Sequence, residues 1–201
     1  MATTNPAGGG GRLSAEARRA QILESALPVF ARRGYAGTGT RELARAAGVS
    51  EPILYRHFED KAGLFRAVLE QVEARVAAEL DAAAAAERGA AARLKALGAS
   101  LPAILDRCRD DLRVLNAAAL AHEDPEILDA AGRCARGIGL ALAQLFRGSG
   151  LRRGMTARAA GFLLLELGLG ASVLSPLALP EIEGAAFRDR AVKVLLAGIA
   201  D

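Results

Sequence analysis

A chain of 201 residues with 52% apolar side chains has material for one large domain or for a small head on a larger body. Aromatics make up only 4% and Trp is absent, which excludes a surface built on stacked rings. Two Cys and two His, the latter 65 positions apart, exclude a disulfide scaffold and a zinc cluster. The net charge of +3 is unevenly spread: residues 12–58 hold eight Arg against four Glu, whereas residues 76–201 hold 15 basic and 15 acidic side chains. The positive excess therefore sits at the amino-terminal end, as attraction to phosphates requires.

In chain order, residues 1–13 are Gly-rich and lack a basic stretch followed by an apolar run. They read as a disordered tail, not a signal peptide, and Arg12 is within reach of nucleic acid as part of such an arm. A first helix is expected from Ser14 or Ala15 to Arg33, with Ile22, Leu23, Ala26, Leu27 and Phe30 as its apolar stripe, Pro28 as a bend and Gly34 as its end. Thr38 is the expected cap of a short second helix that buries Leu43, Ala44 and Ala47. Gly48 supplies the turn, Ser50 caps again, and Pro52 lies in the first turn of a third helix. Leu54 and Phe58 repeat four apart on the inner face, leaving Glu51, Ile53, Tyr55, Arg56 and His57 outward. That is a helix-turn-helix. Asp60 caps a long fourth helix through Leu64, Phe65, Val68, Leu69, Val72, Val76 and Leu80.

Gly89 marks the next break. A fifth helix carries Leu94, Leu97, Leu101, Ile104 and Leu105, with a kink at Pro102; a sixth carries Leu112, Leu115, Ala119 and Leu120. Pro125 opens a seventh, with Ile127, Leu128, Cys134, Ile138, Leu142, Leu145 and Phe146. Residues 159–177 contain a single charge, Glu166, and approach the composition of a membrane span. Interspersed Gly and Ser favour a buried helix at a subunit interface instead. A last helix runs from Ile182 to Ile199. The two final helices supply enough apolar surface to dock on a second copy as a four-helix bundle, with Gly161, Leu164, Gly168, Ala171, Phe187 and Leu195 as the candidate interface residues. Cys108 and Cys134 read as small buried hydrophobes.

The run ILESALPVFARRGYAGTGTRELARAAGVSEPILYRHFEDKAGLFRAVL resembles the TetR-type transcriptional repressors over about residues 16–76. The resemblance rests on Phe30, Gly34-Tyr35, Ala44, Ala47 to Ser50, Leu54-Tyr55, His57-Phe58 and Lys61 in that order. It implies an all-α fold: a three-helix head joined by a long helix to a larger helical body for ligand binding and dimerisation. The expected division is a tail at 1–13, a head at 14–76 with its motif at about 39–58, and a body at 77–201. The resemblance implies backbone contacts by Thr38, Tyr55, His57 and Lys61, and base contacts by Glu51, Pro52 and Ile53. Gly39, Thr40, Ser50 and Arg56 complete the candidate DNA face. Ile53 stands where many members carry Thr, and Gly39 where a second hydroxyl is common.

For the body, the resemblance implies a small-molecule pocket. Its candidates are Leu105, Cys108, Arg109, Phe162 and Glu166, with Arg107 as a further polar residue nearby, and the aliphatic composition suggests an apolar effector. The expected protein is a cytoplasmic homodimer that binds a palindromic operator and is released by that effector, without cofactor, metal or membrane. No paired carboxylates, nucleophile–base set or metal cluster supports an enzyme. The competing expectation is a dimeric ligand-binding or scaffold protein with a degenerate head, for which Gly39 and Glu51 speak.

Overall fold

The computed structural model describes residues 14–85, 87–121, 123–174 and 185–199. Their secondary structure is helical: α1 (Ala15–Arg33), α2 (Thr40–Ala46), α3 (Glu51–His57), α4 (Lys61–Ala84), α5 (Ala90–Arg107), α6 (Arg109–Ala119), α7 (Pro125–Leu145), α8 (Ala157–Leu174) and α9 (Ala185–Ile199). Arg12, His122 and Ile182 lie outside the described residues.

Local chemistry accounts for most of the boundaries. Ser14 Oγ accepts the Ala17 amide at 3.1 Å to start α1, and Gly34 closes that helix with a φ of 66°. α1 continues through Pro28 without losing its helical assignment. Asp60 caps α4 by accepting the Gly63 amide at 2.6 Å, and Asp124 caps α7 by accepting the Ile127 amide at 3.2 Å. Gly89, at the expected break, precedes α5 with a φ of 97°.

α1, α2 and α3 close over a core made with the first half of α4. The Phe30 ring meets Phe65 edge-on at 4.7 Å, and Tyr35 leans on the same ring at 5.2 Å. α4 then continues into the body, burying Val72, Val76 and Leu80 as fully as it buries Leu64 and Phe65 in the head. At 24 residues it is about 36 Å long and serves both halves. The body packs α4 against α7, α7 against α8, α6 against α1 and α8, and α5 against α9.

Three expectations about the body change. In α6 the inner face is Asp111, Leu112, Val114, Leu115 and Ala118, whereas Ala119 faces out and Leu120 is 70% exposed. α6 is covered from several directions, so its buried arc is wider than a single i, i+3 stripe. The second change concerns Gly161, Leu164 and Gly168, which are buried inside the chain. A Cβ at Gly161 would stand 2.6 Å from both the Gly139 carbonyl oxygen and the Ala143 amide nitrogen, so the small residue serves the α7–α8 crossing. Gly168 lies against Leu105, and Ala171 is half-buried. Phe187 and Leu195 fall within α9, but their side chains are outside the described residues. Third, the apolar surface that α8 leaves uncovered is a different stripe: Leu163, Leu167, Val173 and Leu174. α8 is long and apolar enough to cross a membrane, and a third of it is buried inside the chain.

Candidate nucleic-acid interface

The turn between α2 and α3 is built by backbone geometry. The Ala47 amide donates to the Leu43 carbonyl at 3.0 Å to end α2, Gly48 takes a φ of 65°, and the Val49 amide donates back to the Ala44 carbonyl at 3.0 Å. A side chain at position 48 would be strained at that φ, which is why glycine stands there. α1 holds this turn from behind: Gln21 Nε2 donates to the Ala47 carbonyl at 3.3 Å, and Arg18 donates to Gln21 Oε1 at 2.8 Å. At the other end of α3, the Arg19 guanidinium lies 4.7 Å above the Phe58 ring. The short α3 is thus pinned at both ends by side chains of α1.

α3 divides as its sequence suggests. Leu54 and Phe58 are buried, Pro52, Tyr55 and Arg56 are exposed, and Glu51, Ile53 and His57 are intermediate. Tyr55 is 44% exposed, so its phenol is available to a partner. Ser50 stands at the N-cap but makes no capping hydrogen bond, leaving its hydroxyl open. Gly39, exposed, is the N-cap of α2 and makes no side-chain cap either.

Two expected contacts are turned inward. Thr38 is 2% exposed and does not cap α2; its hydroxyl donates to the Gly34 carbonyl at 2.7 Å, tying down the α1–α2 connection. Lys61 Nζ donates to the Tyr35 carbonyl at 3.0 Å and the Thr38 carbonyl at 3.1 Å, and sits 4.3 Å above the Tyr35 ring. Both polar atoms are thus engaged by backbone carbonyls of the head in this conformation. Thr40 is also engaged: its hydroxyl donates to Glu51 Oε2 at 2.8 Å. Arg41, which the sequence reading passed over, donates through Nε to Glu51 Oε1 at 3.2 Å.

Comparison with known proteins places this head. The family described as "Bacterial regulatory proteins, tetR family" matches residues 22–68, the stretch from mid-α1 through the start of α4. The chain is 49% identical to the HTH-type transcriptional activator FasR of Mycolicibacterium smegmatis over 69 residues, 33% of this chain and 32% of that one. It is 29% identical to the nucleoid occlusion factor SlmA of Actinobacillus pleuropneumoniae over 147 residues, 71% of each. The whole fold superposes on a bacterial regulatory protein in the tetR family from Rhodococcus, with a TM-score of 0.68 at 23% identity, covering 91% of this chain and 97% of that one. Over residues 22–68 the chain is similar to the tetR family, and over the rest of its length the likeness is one of fold. The chain spans about a third of FasR's length and about seven-tenths of SlmA's, so the likeness to FasR is confined to the head.

In the body, the five expected pocket residues lie on α5, at the start of α6 and on α8. Arg109 is half-buried and pairs with Asp106 at 2.9 Å, and Glu166 faces solvent. Arg107, also exposed, pairs with Glu79 at 2.6 Å. Leu105 lies against α8 at Gly168, while Phe162 fills the space beside Gly139 of α7. Cys108 is buried. Its thiol is pushed up to about 11, first by burial and then by the Asp111 and Glu79 carboxylates; the Cys134 thiol is pushed up to about 12, again chiefly by burial. Among the described residues no His, Cys, Asp and Glu group has the arrangement of a metal site.

What sequence reading missed is a set of polar links between head and body. Glu24 of α1 pairs with Arg75 of α4 at 2.9 Å and also binds Gln71; Arg75 Nε in turn lies 3.5 Å from Asp111 Oδ1 of α6. Asp111 is 1% exposed, and burial holds its carboxyl above the ordinary value against the opposing pull of Arg75. Arg66 at the start of α4 pairs with Glu126 at the start of α7. The Tyr35 phenol is raised by burial and by the Asp124 carboxylate beside it. Further in, Asn116 Nδ2 donates to the Leu169 carbonyl at 3.0 Å and to Ser172 Oγ at 2.6 Å, fixing α6 to α8. The sequence carries a faint signal for only one of these: an acid, Asp111, at a position in phase with the buried Leu115 and Ala118.

Proposed function

We propose that this chain is a cytoplasmic, homodimeric, sequence-specific DNA-binding regulator and not an enzyme. It acts as a repressor whose two heads bind a palindromic operator and which a small apolar effector releases. The head comprises residues 14–76 and the body 77–201, with residues 1–13 as a tail. The observation that carries the reading is the division of α3. Leu54 and Phe58 anchor it in the head, while Pro52, Tyr55 and Arg56 stand out on a helix short enough to enter a major groove.

Pro52 and Ile53 approach bases, and Ile53 offers methyl contact to thymine. Gly39, Thr40, Ser50, Tyr55, Arg56 and His57 meet the backbone, and positioning is thereby divided from reading. Glu51 speaks less for a degenerate head when Arg41 pairs with it and the Thr40 hydroxyl donates to it. The effector binds the electroneutral body and must prefer the state that holds DNA poorly, since a ligand with no such preference shifts nothing. FasR is an activator, so the direction of control follows from where the operator lies and not from the head.

Selection of bound genomic fragments, followed by a shift assay across a salt series, tests this. The expected result is a preferred sequence whose affinity falls steeply as salt rises. A purified dimer with no preference for any duplex at low salt would overturn the reading. Compounds that release the selected fragment then identify the effector class.

A further inference from the structure

An acid at the tip of a DNA-reading helix is electrostatically awkward, because Glu51 would approach a polyanion. In this chain both of its carboxylate oxygens are already occupied by consecutive residues of α2, Oε2 by the Thr40 hydroxyl at 2.8 Å and Oε1 by Arg41 Nε at 3.2 Å. The Arg41 side chain is nonetheless 91% exposed, against 33% for Glu51. A guanidinium is a planar fork of five N–H donors. Held by its Nε edge, Arg41 keeps its two terminal nitrogens for something beyond Glu51. An ion pair this exposed adds little to folding in water, so stability is a poor reason for it.

We infer that Glu51 is a positioning residue and not a base reader: it orients Arg41, whose terminal nitrogens bind a phosphate of the duplex beside the groove that α3 enters. The inference rests on the DNA-binding function proposed above. The arrangement also fixes α2 to α3 across the turn, so the same carboxylate that would repel DNA sets the angle of the cation that attracts it. Thr40 then meets the backbone through its amide, its hydroxyl proton being committed to Glu51.

A double-mutant cycle decides it, with wild type, Arg41→Ala, Glu51→Gln and the double variant titrated in a salt series. The probes are the best-bound genomic fragment, its single-base variants and a random duplex of equal length. Arg41→Ala should weaken specific and random binding alike by about tenfold and lower the salt slope by about one ion. Glu51→Gln should tighten binding in the Arg41→Ala background, where only repulsion is relieved. It should tighten it at least about threefold less in the wild-type background, where orientation of Arg41 is lost as well. Preferences among the single-base variants should not move. Effects of the two substitutions that simply multiply, or a change of preference at one base pair on Glu51→Gln, would overturn the inference while leaving DNA binding intact. Wild type that binds none of the duplexes would overturn both readings together.

Discussion

The ammonium of Lys61 lies inside the head, donating to the Tyr35 and Thr38 carbonyls across the Tyr35 ring. Hydrogen bonds from a charged donor contribute roughly 1.5–3 kcal/mol each, less where water competes, and Lys61 is half-buried. Lys61→Met, which keeps the stem, should therefore destabilise the free protein by about 1–2 kcal/mol, read by chemical unfolding without DNA, and leave the salt slope of DNA binding unchanged. Unaltered stability with a shallower slope would return Lys61 to a phosphate. The two thiols make a second residue-scale case. With Cys108 held up to about 11 and Cys134 to about 12, both stay protonated at neutral pH. A thiol reagent should leave the native protein unlabelled and modify both residues once denaturant opens the core. Fast labelling of folded protein would show an opening that this structure lacks. At this scale the sequence discloses which side chains bear chemistry but not where they aim. A lysine at the start of a helix reaches a phosphate or a carbonyl equally well, and only the path of the chain from Gly34 to Thr38 places two carbonyls beneath it.

Elements were legible wherever an apolar period coincided with a cap or a breaker. Ser14, Gly34, Asp60, Gly89 and Pro125 all mark helix ends where the sequence puts them. α6 was misjudged in its face, because a short helix covered by several neighbours buries a broad arc, and the acid on that arc reads as a surface residue. Asp111 gives the error a measurable consequence. Its folded carboxyl lies above the ordinary value, so the folded chain keeps its proton to a higher pH than the unfolded chain does. Between the two values the native state binds more protons, and stability falls as pH rises through that window. Asp111→Asn removes the titration, so the variant should lose less stability than wild type when pH is raised from mildly acid to neutral. Parallel pH profiles for the two proteins would show that Arg75 holds Asp111 ionised throughout. The α7–α8 crossing makes the complementary point about small residues. Gly161→Ala places a methyl 2.6 Å from backbone atoms of α7, and overpacking of this kind costs about 1–3 kcal/mol. Thermal unfolding should register that loss even where the protein is too dilute to dimerise, since the crossing is internal to one chain.

For the whole molecule, the sequence identified α8 as the helix with surplus apolar surface, and the small residues it offered to a partner are buried within the chain. Small residues invite the reading of a close intersubunit approach, yet here they serve the approach of α7. The other side carries Leu163 and Leu167, 37% and 38% exposed, continued by Val173 and Leu174. Leu163, Leu167 and Leu174 recur at i, i+4 and i+11, one apolar stripe opposite the side that α8 buries against the chain, and such a stripe wants cover. A second copy offering the same stripe satisfies it with closed two-fold symmetry, which is also what two heads on a palindrome require. Leu163→Glu combined with Leu167→Glu should thus give a chain with native helicity that runs as a monomer in light scattering. Its affinity for the full operator should fall by orders of magnitude, because the second half-site no longer contributes, while its weak binding to an isolated half-site persists. Gly161→Ala should not mimic this, since it strains the interior and leaves the stripe intact. A doubly charged variant that remained dimeric would move the interface elsewhere. Wild type that stayed monomeric and partitioned into lipid vesicles would instead assign the stripe to a membrane, and would break the link between α8 and the spacing of the heads.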